Sequence, residues 1–216
     1  MRTLAHSFDV EAFVARQKKG YFAPFTWAFW RSLLVSFCVF CIVGHLLEFP
    51  YCWFMTSIGV STSGYALWTD PWFHPYWVYG IGAVVMTLAL EPFKDMLFRH
   101  RKTTWGALLE TFVIMTLLAM VMELVIGLIV NQPDAAGVYP YWDNSHLPLN
   151  IMGQAWLVND VVIGMVAMLY LWVFYPLICE ALAHLKPLRS NVAFASVIMG
   201  FTALCVTSYT LLALAA

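Results

Sequence analysis

Charged residues are scarce in this sequence. Asp, Glu, Lys and Arg make up 11% of the 216 residues, whereas hydrophobic residues make up 62%. A soluble domain carries about 25% charged residues, so a chain this apolar cannot cover a water-facing surface. The net charge of −1 gives no basis for nucleic acid binding. The composition therefore predicts an integral membrane protein, and we expect it in the plasma membrane of a bacterium.

Signatures of several other protein classes are missing. The first residues lack a long apolar core beside the initial methionine, so we expect no signal peptide. The sequence contains no Walker A motif, which excludes an ATPase within it. It also shows no Ser-His-Asp order and no familiar lipid-transferase motif, and we do not predict an enzyme. The cysteines fall in or beside apolar segments, where burial is favoured over a redox or metal pair: Cys38, Cys41, Cys52, Cys179 and Cys205.

Long apolar runs are abundant instead. A membrane core of about 30 Å needs about 20 apolar residues in a helix. Five segments qualify and predict an all-α polytopic fold: Ser32–Phe54, Pro75–Phe93, Ala107–Val130, Ala155–Ile178 and Asn191–Ala213. No internal repeat is obvious. Residues 32–216 are therefore expected to form a single transmembrane domain.

The basic residues predict the orientation of these spans. Every Lys and Arg lies before the first span, between the second and third, or between the fourth and fifth. By the positive-inside rule the N-terminus is cytoplasmic and the C-terminus outside. Residues 1–31 become a cytoplasmic segment, either an amphipathic helix on the inner membrane surface or a disordered tail. Two Trp- and Tyr-rich loops, residues 56–74 and 131–153, then face outward.

Three acidic residues on different helices share the outer level. Glu48, Glu123 and Asp160 have no Lys or Arg at their depth, and a charge inside a bilayer costs roughly 2.5–3.5 kcal/mol. Each must be protonated, hydrogen-bonded or matched by a bound cation. A glycine four positions from each acid permits close helix packing: Gly44, Gly127 and Gly164. The inner acids Glu91, Glu110 and Glu180 are expected to reach the inner surface or to pair with Lys94, Arg101 or Lys186.

A polar stretch, residues 139–160, precedes and enters the fourth span. Asp143, Asn144 and Ser145 are turn and capping residues, and Pro148 disfavours helix at the residue before it. Asn150 is predicted as the N-cap of a helix that begins "IMGQAWLVND". The stretch is therefore expected to be an ordered, re-entrant-like outer loop. Capping does not account for Gln154, Asn159 and Asp160, which we predict on partly shared faces of the span.

Four motifs occur in a characteristic order: "GHLLEFPY" at residues 44–51, "WVYGIGAVVM" at 77–86, "MELVIG" at 122–127 and "YWDNSHLPLNIMGQ" at 141–154. With them the chain resembles the CmpB-like family of type IV ABC-transporter membrane proteins. His45 stands where that family usually has Trp, and Asn144 where it has Tyr. The matching residues are Gly44, Glu48, Glu123, Gly127, Trp142, Asp143, Ser145, Pro148, Asn150, Gly153 and Gln154.

The resemblance implies a permease, and the outer acids suggest an outward-facing acidic pocket for a cation, a proton or a cationic solute. The predicted ligand-binding residues are His45, Glu48, Glu123, Trp142, Asp143, Ser145, Asn150, Gln154 and Asp160. We expect no cofactor. The predicted partners are the lipid bilayer, a separate ATPase or other membrane subunits, and further copies of the chain.

Four alternatives stay open. The outer polar cluster could be a structural, hydrogen-bonded knot that joins the helices. The chain could be an accessory subunit of a larger membrane complex. It could be an intramembrane enzyme acting on a lipid-linked substrate, with Asp143 or Glu123 as general base and His45 or His146 assisting. A divalent metal could bind through carboxylate and imidazole groups, for which Asp70, His74 and His146 are weak candidates.

Overall fold

Most residues of the computed structural model, which describes residues 10–60, 75–100 and 103–215, are helical. The helices are α1 (Val10–Lys18), α2 (Trp27–Ser57), α3 (Trp77–His100), α4 (Thr104–Val130), α5 (Leu157–Leu169), α6 (Tyr175–Ala183) and α7 (Pro187–Ala215). A π-helical turn, Tyr170–Phe174, joins α5 to α6 without interruption. Two short strands, β1 (Asn150–Ile151) and β2 (Ala155–Trp156), pair in antiparallel fashion.

Four stretches of helix in the described residues are long and apolar enough to cross a membrane. They are Trp27–Ser57, Thr104–Val130, Leu157–Ala183 and Pro187–Leu214. The all-α membrane fold expected from the composition is thereby confirmed. Helix α3 falls where the second span was predicted, but it carries charged residues: Glu91, Lys94, Asp95 and Arg99. The count of five spans and their orientation stay predictions.

The start of the fourth predicted span differs from the expectation. Asn150 is not a helix N-cap, because the chain turns through left-handed conformations at Leu149 (φ 63°), Met152 (φ 55°) and Gly153 (φ 69°). Asn150 then pairs with Trp156 across the two short strands. The helix begins only at Leu157, so Gln154 lies in a turn and not on the span. Propensity and capping rules do not capture a turn of this kind, in which two non-glycine residues have positive φ.

The π-helical turn is explained by Pro176. Proline has no backbone N–H, so the carbonyl four residues earlier, that of Trp172, loses its α-helical donor. A π-helix has hydrogen bonds between residues five apart, so the carbonyl of Leu171 also lacks a donor at Pro176. The N–H of Tyr175 bonds to the carbonyl of Tyr170, which is the spacing of a π-helix. The carbonyls of Leu171 and Trp172 are thus left for side chains from elsewhere in the bundle.

Two helix pairs form the framework: α2 packs along α3, and α4 packs along α5. Glycines allow the close approach. A Cβ on Gly44 would overlap the ring of Tyr79, and a Cβ on Gly164 would lie 3.1 Å from the Cα of Thr116. The close helix packing predicted at these two glycines is confirmed. Gly127 instead makes room for the side chain of Gln154.

The α4–α5 contact can be tested at Gly164. We expect Gly164→Val to lower the unfolding temperature in detergent, because the added carbons would have to push the helix backbones apart, and overpacking costs about 1–3 kcal/mol. Gly82→Val is the matched control, since no atom lies within 4 Å of the added Cβ there. Equal unfolding temperatures for the two variants would contradict the packing.

Candidate functional site

Two acidic side chains, one buried and one half-buried, meet between α4 and α5. Glu123 lies near the end of α4 and Asp160 in the first turn of α5, and their carboxyl groups are within hydrogen-bonding reach of each other. Asp160 is fully buried. The amide of Asn159 donates to Glu123 Oε1 at 2.7 Å, and the backbone N–H of Trp156 also bonds to Glu123. The first turn of α5 therefore organises the pair.

The acid pair has few hydrogen-bond donors of its own. Within the described part of the chain, neither oxygen of Asp160 receives a hydrogen bond, and Glu123 Oε2 receives none either. The ion pairs observed between described residues lie at Glu180 and Glu91, and none of them joins a described Lys or Arg to Glu123 or Asp160. Two adjacent carboxylates would repel strongly in an apolar bundle, so the pair needs a shared proton or a bound cation.

Helix α2 supplies the third side of this site. The hydroxyl of Tyr51 lies within electrostatic range of Glu123, Asp160 and Glu48. Glu48 is half-buried one turn before Tyr51 on α2. The three acids predicted to share one level thus have a common neighbour. Tyr51 was not among the predicted site residues, although its position three residues after Glu48 places it on the same helix face.

The loop between α4 and α5 is anchored by a pair of amide side chains. Asn131 Nδ2 donates to Gln154 Oε1 at 2.9 Å, and Gln154 Nε2 donates to the carbonyl of Asn131 at 3.1 Å. Asn131 also bonds to the backbone of Trp142, through Nδ2 to its carbonyl at 2.8 Å. Asn131 is completely buried, and Gln154 is 2% exposed. The sequence interpretation missed Asn131, whose signal was its place directly after the last apolar residue of α4.

The other polar residues of this loop are bonded to its own backbone. Trp142 Nε1 and Asn144 Nδ2 both donate to the carbonyl of Gln154, at 2.9 and 2.7 Å. Asn150 Nδ2 donates to the carbonyl of Leu147 at 2.6 Å, and its Oδ1 accepts from the N–H of Gly153 at 3.1 Å. Trp142, Asn150 and Gln154 therefore give the loop its shape.

Asp143 closes a turn at the surface of the loop. Its Oδ1 accepts the backbone N–H of Ser145 at 2.9 Å. The hydroxyl and the N–H of Ser145 bond to the carboxylate and hold the pKa of Asp143 below its usual range. A lowered pKa means that the turn is stabilised at neutral pH and loosens only as the pH falls through that low value.

The predicted histidines and the metal candidates are not seen next to the acid pair. His45 is fully buried on α2, with its ring 4.2 Å from that of Tyr76 and 5.0 Å from that of Phe49, centroid to centroid. His146 is exposed on the loop. Asp70 and His74 lie outside the described residues. No group of three or more His, Cys, Asp or Glu side chains in the described ranges could hold a metal ion.

These observations define a class: a multi-pass, predominantly helical membrane protein with a pair of acidic side chains beside a hydrogen-bonded loop. The chain belongs to the family described as "Putative ABC-transporter type IV", which matches residues 35–209. This confirms the resemblance drawn from the four motifs and makes the chain a membrane protein of a transport-related family. No curated protein and no solved structure matches it.

The amide pair that anchors the loop can be tested by replacing Gln154. We expect Gln154→Leu to speed amide hydrogen exchange across residues 141–157, because buried polar groups of Asn131 lose their partners at a cost of about 1–3 kcal/mol. Gln132→Leu is the control, since Gln132 is exposed one residue along the chain from Asn131. Unchanged exchange in the Gln154 variant would show that the loop does not depend on this pair.

Proposed function

We propose that the protein is a permease-like membrane component whose binding site for a cation, a proton or a cationic solute is centred on Glu123 and Asp160. The observation that carries the proposal is the contact of the buried carboxyl group of Asp160 with the half-buried side chain of Glu123. Among the described residues the two acids have no basic partner, and both retain buried oxygens without a donor. Membership of a transport-related family supports it. We place the protein in the plasma membrane of a bacterium.

The pair of Glu123 and Asp160 is suited to exchanging a proton for a cation. With one shared proton it carries a single negative charge spread over hydrogen-bonded oxygens, which an apolar environment tolerates better than two charges. Loss of that proton leaves a site that attracts a cation. Binding of the cation and release of the proton are then linked by electrostatics alone. Asn159 holds one oxygen of Glu123 at 2.7 Å and keeps the carboxyl group oriented through the exchange.

Glu48 and Tyr51 would form the α2 wall of the site. The half-buried carboxyl group of Glu48 adds negative potential where Tyr51 faces the acid pair. The loop residues Trp142, Asp143, Ser145, Asn150 and Gln154 form a cover whose internal hydrogen bonds set its shape. We assign these five residues to positioning the cover and not to direct ligand contact. His45 packs between aromatic rings behind this wall.

Energy for transport would come from a partner or from an ion gradient. Since the sequence contains no Walker A motif, an ATP-driven mechanism requires a separate ATPase subunit. Purification in a gentle detergent from native membranes, followed by mass spectrometry, tests this. Recovery of an ATPase together with unchanged cation flux in Glu123→Gln would favour the accessory-subunit alternative over the permease.

The acid pair is tested by Glu123→Gln. The amide keeps the size of the side chain but cannot give up a proton, so we expect proteoliposomes of the variant to lose proton release driven by added Na⁺, K⁺ or ethylammonium, followed with a pH-sensitive dye. Membrane insertion should be unchanged. Glu110→Gln is the matched control on the same helix α4. Wild-type proton release in Glu123→Gln would contradict the proposed site.

The variant Asp143→Asn distinguishes a structural role of Asp143 in the loop from direct binding of the ligand by its carboxylate. The asparagine oxygen can still accept the N–H of Ser145, so a cover needs only the hydrogen bond, whereas a ligand-binding carboxylate needs the charge. We expect Asp143→Asn to retain cation-driven proton release and Asp143→Ala to slow it. Loss of activity in the asparagine variant would move Asp143 into the binding site itself.

A further inference from the structure

A second buried charged group lies at the opposite end of the bundle, where α1 packs against it. The ammonium group of Lys94 is fully buried and lies among three oxygens. Glu91 Oε1 is 2.8 Å away, Gln17 Oε1 3.1 Å and the carbonyl of Leu171 3.3 Å. The side-chain amide of Gln17 and the carbonyl of Leu171 accept hydrogen bonds from the ammonium group, and the carboxyl group of Glu91 faces it as an ion pair that supplies the compensating charge.

Two aromatic rings complete the surroundings of this ammonium group. Lys94 Nζ lies 5.7 Å from the ring centroid of Tyr21 and 5.9 Å from that of Trp172. Cations are attracted to ring faces at such distances. We call the set formed by Gln17, Tyr21, Glu91, Trp172 and the carbonyl of Leu171 the ammonium cage. The 2.8–3.3 Å distances suit N–H donors, whereas Mg²⁺ or Ca²⁺ would need oxygens at about 2.0–2.6 Å.

One oxygen of the cage is a backbone carbonyl whose availability depends on a proline in the sequence. The carbonyl of Leu171 is available because Pro176 cannot donate to it in the π-helical turn. The neighbouring carbonyl of Trp172 accepts from Gln17 Nε2 at 2.7 Å. Gln17 thus contacts the π-helical turn with its nitrogen and Lys94 with its oxygen. Irregular helical hydrogen bonding of this kind is frequent at functional sites.

Helix α1 and the residue after it close the cage through contacts that include two ion pairs. Arg16 and Lys19 pair with Glu180 at 3.1 and 3.0 Å; the side chain of Lys19 is 63% exposed, whereas those of Arg16 and Glu180 are partly buried. An exposed pair such as that of Lys19 is worth about 0.2–1 kcal/mol. The ring of Phe13 stacks on Trp172 at 6.0 Å. Release of this short helix would open the cage without disturbing the packing of α2 with α3 or of α4 with α5.

We propose that the ammonium cage is a binding site for primary ammonium ions, which Lys94 fills as an internal occupant and which an external ammonium ion enters by displacing it. A buried ion pair alone is a poor source of stability, since apolar replacements are often as stable, so stability does not account for it. The inference rests on the proposed function in one respect: it makes a primary ammonium group the class of cation that the protein handles.

The first test removes the internal occupant. Lys94→Ala leaves a space, and we expect it to lower the unfolding temperature in detergent and ethylammonium chloride to restore most of that loss in a saturable way. Tetramethylammonium, which has no N–H donor, should not. Lys94→Met fills the space and should not respond, and Lys186→Ala serves as the control lysine. The double variant Glu91→Gln with Lys94→Ala should respond far less. No response to ethylammonium in Lys94→Ala would overturn the proposal.

The second test asks whether displacement occurs in the intact protein. A small amine-reactive reagent is applied to the wild type with and without ethylammonium, and modification of Lys94 is read by mass spectrometry. Ethylamine also consumes the reagent, so the rate at Lys94 is expressed relative to the rate at Lys186. We expect ethylammonium to raise this ratio by roughly tenfold, because it shifts Lys94 out of the cage. Rescue of Lys94→Ala without any displacement in the wild type would mean that the cage is a purely structural lysine site, and would overturn the proposal.

The two proposals can fail separately. Glu123→Gln leaves the cage intact, so rescue and displacement should persist in that background even where cation-driven proton release is lost. Displacement in the wild type combined with normal proton release in Glu123→Gln would uphold the cage and refute the acid pair. Should Lys94→Ala not fold, the displacement measurement alone decides.

Discussion

The contact between the carboxyl groups of Glu123 and Asp160 is the constraint around which the loop end of the bundle is arranged. Burying two acids without a basic partner is costly unless their oxygens are bonded and the helices hold them at a fixed distance. Gly164 brings α5 against α4 at Thr116, and Asn159 holds Glu123 at 2.7 Å. The loop that covers this end is tied to α4 by the amide pair of Asn131 and Gln154. Each of these features keeps the acids in place.

The opposite end satisfies its buried charges by other means. Glu91 has a cation of its own in Lys94, and the oxygens around that ammonium group come from a side-chain amide and from a backbone carbonyl freed by a proline. Among the described residues, one end therefore carries acids without a basic partner, and the other carries an internal ion pair. Stability alone does not explain this difference, because buried ion pairs contribute little to stability and apolar side chains would serve as well at both ends.

The sequence predicted the apolar helices well, because length and hydropathy suffice for them. It also predicted Glu123 and Asp160 at one level, since topology converts position along a helix into depth. It failed at Asn150, where the expected N-cap is part of a turn with positive φ at Leu149 and Met152. It did not select Asn131 and Tyr51, because a polar residue at a helix end, or one that shares a helix face with an acid, is a weak signal when taken alone. The ammonium cage was out of reach, since Gln17, Lys94 and Leu171 are far apart in sequence and meet only through packing.

The two proposed sites would handle a cation differently. If a cation exchanges with a proton at the acid pair, as we propose, the charge of that site need not change. At the cage, the positive charge is already present on a tethered side chain, so the proposed entry of a cation requires Lys94 to leave with its charge. Lys94 would need an aqueous route out, and Gln17 of α1, itself 1% exposed, covers the cage. In this proposal, opening of α1 and entry of a cation are coupled by charge balance, because an empty cage would leave Glu91 buried without a counter-ion.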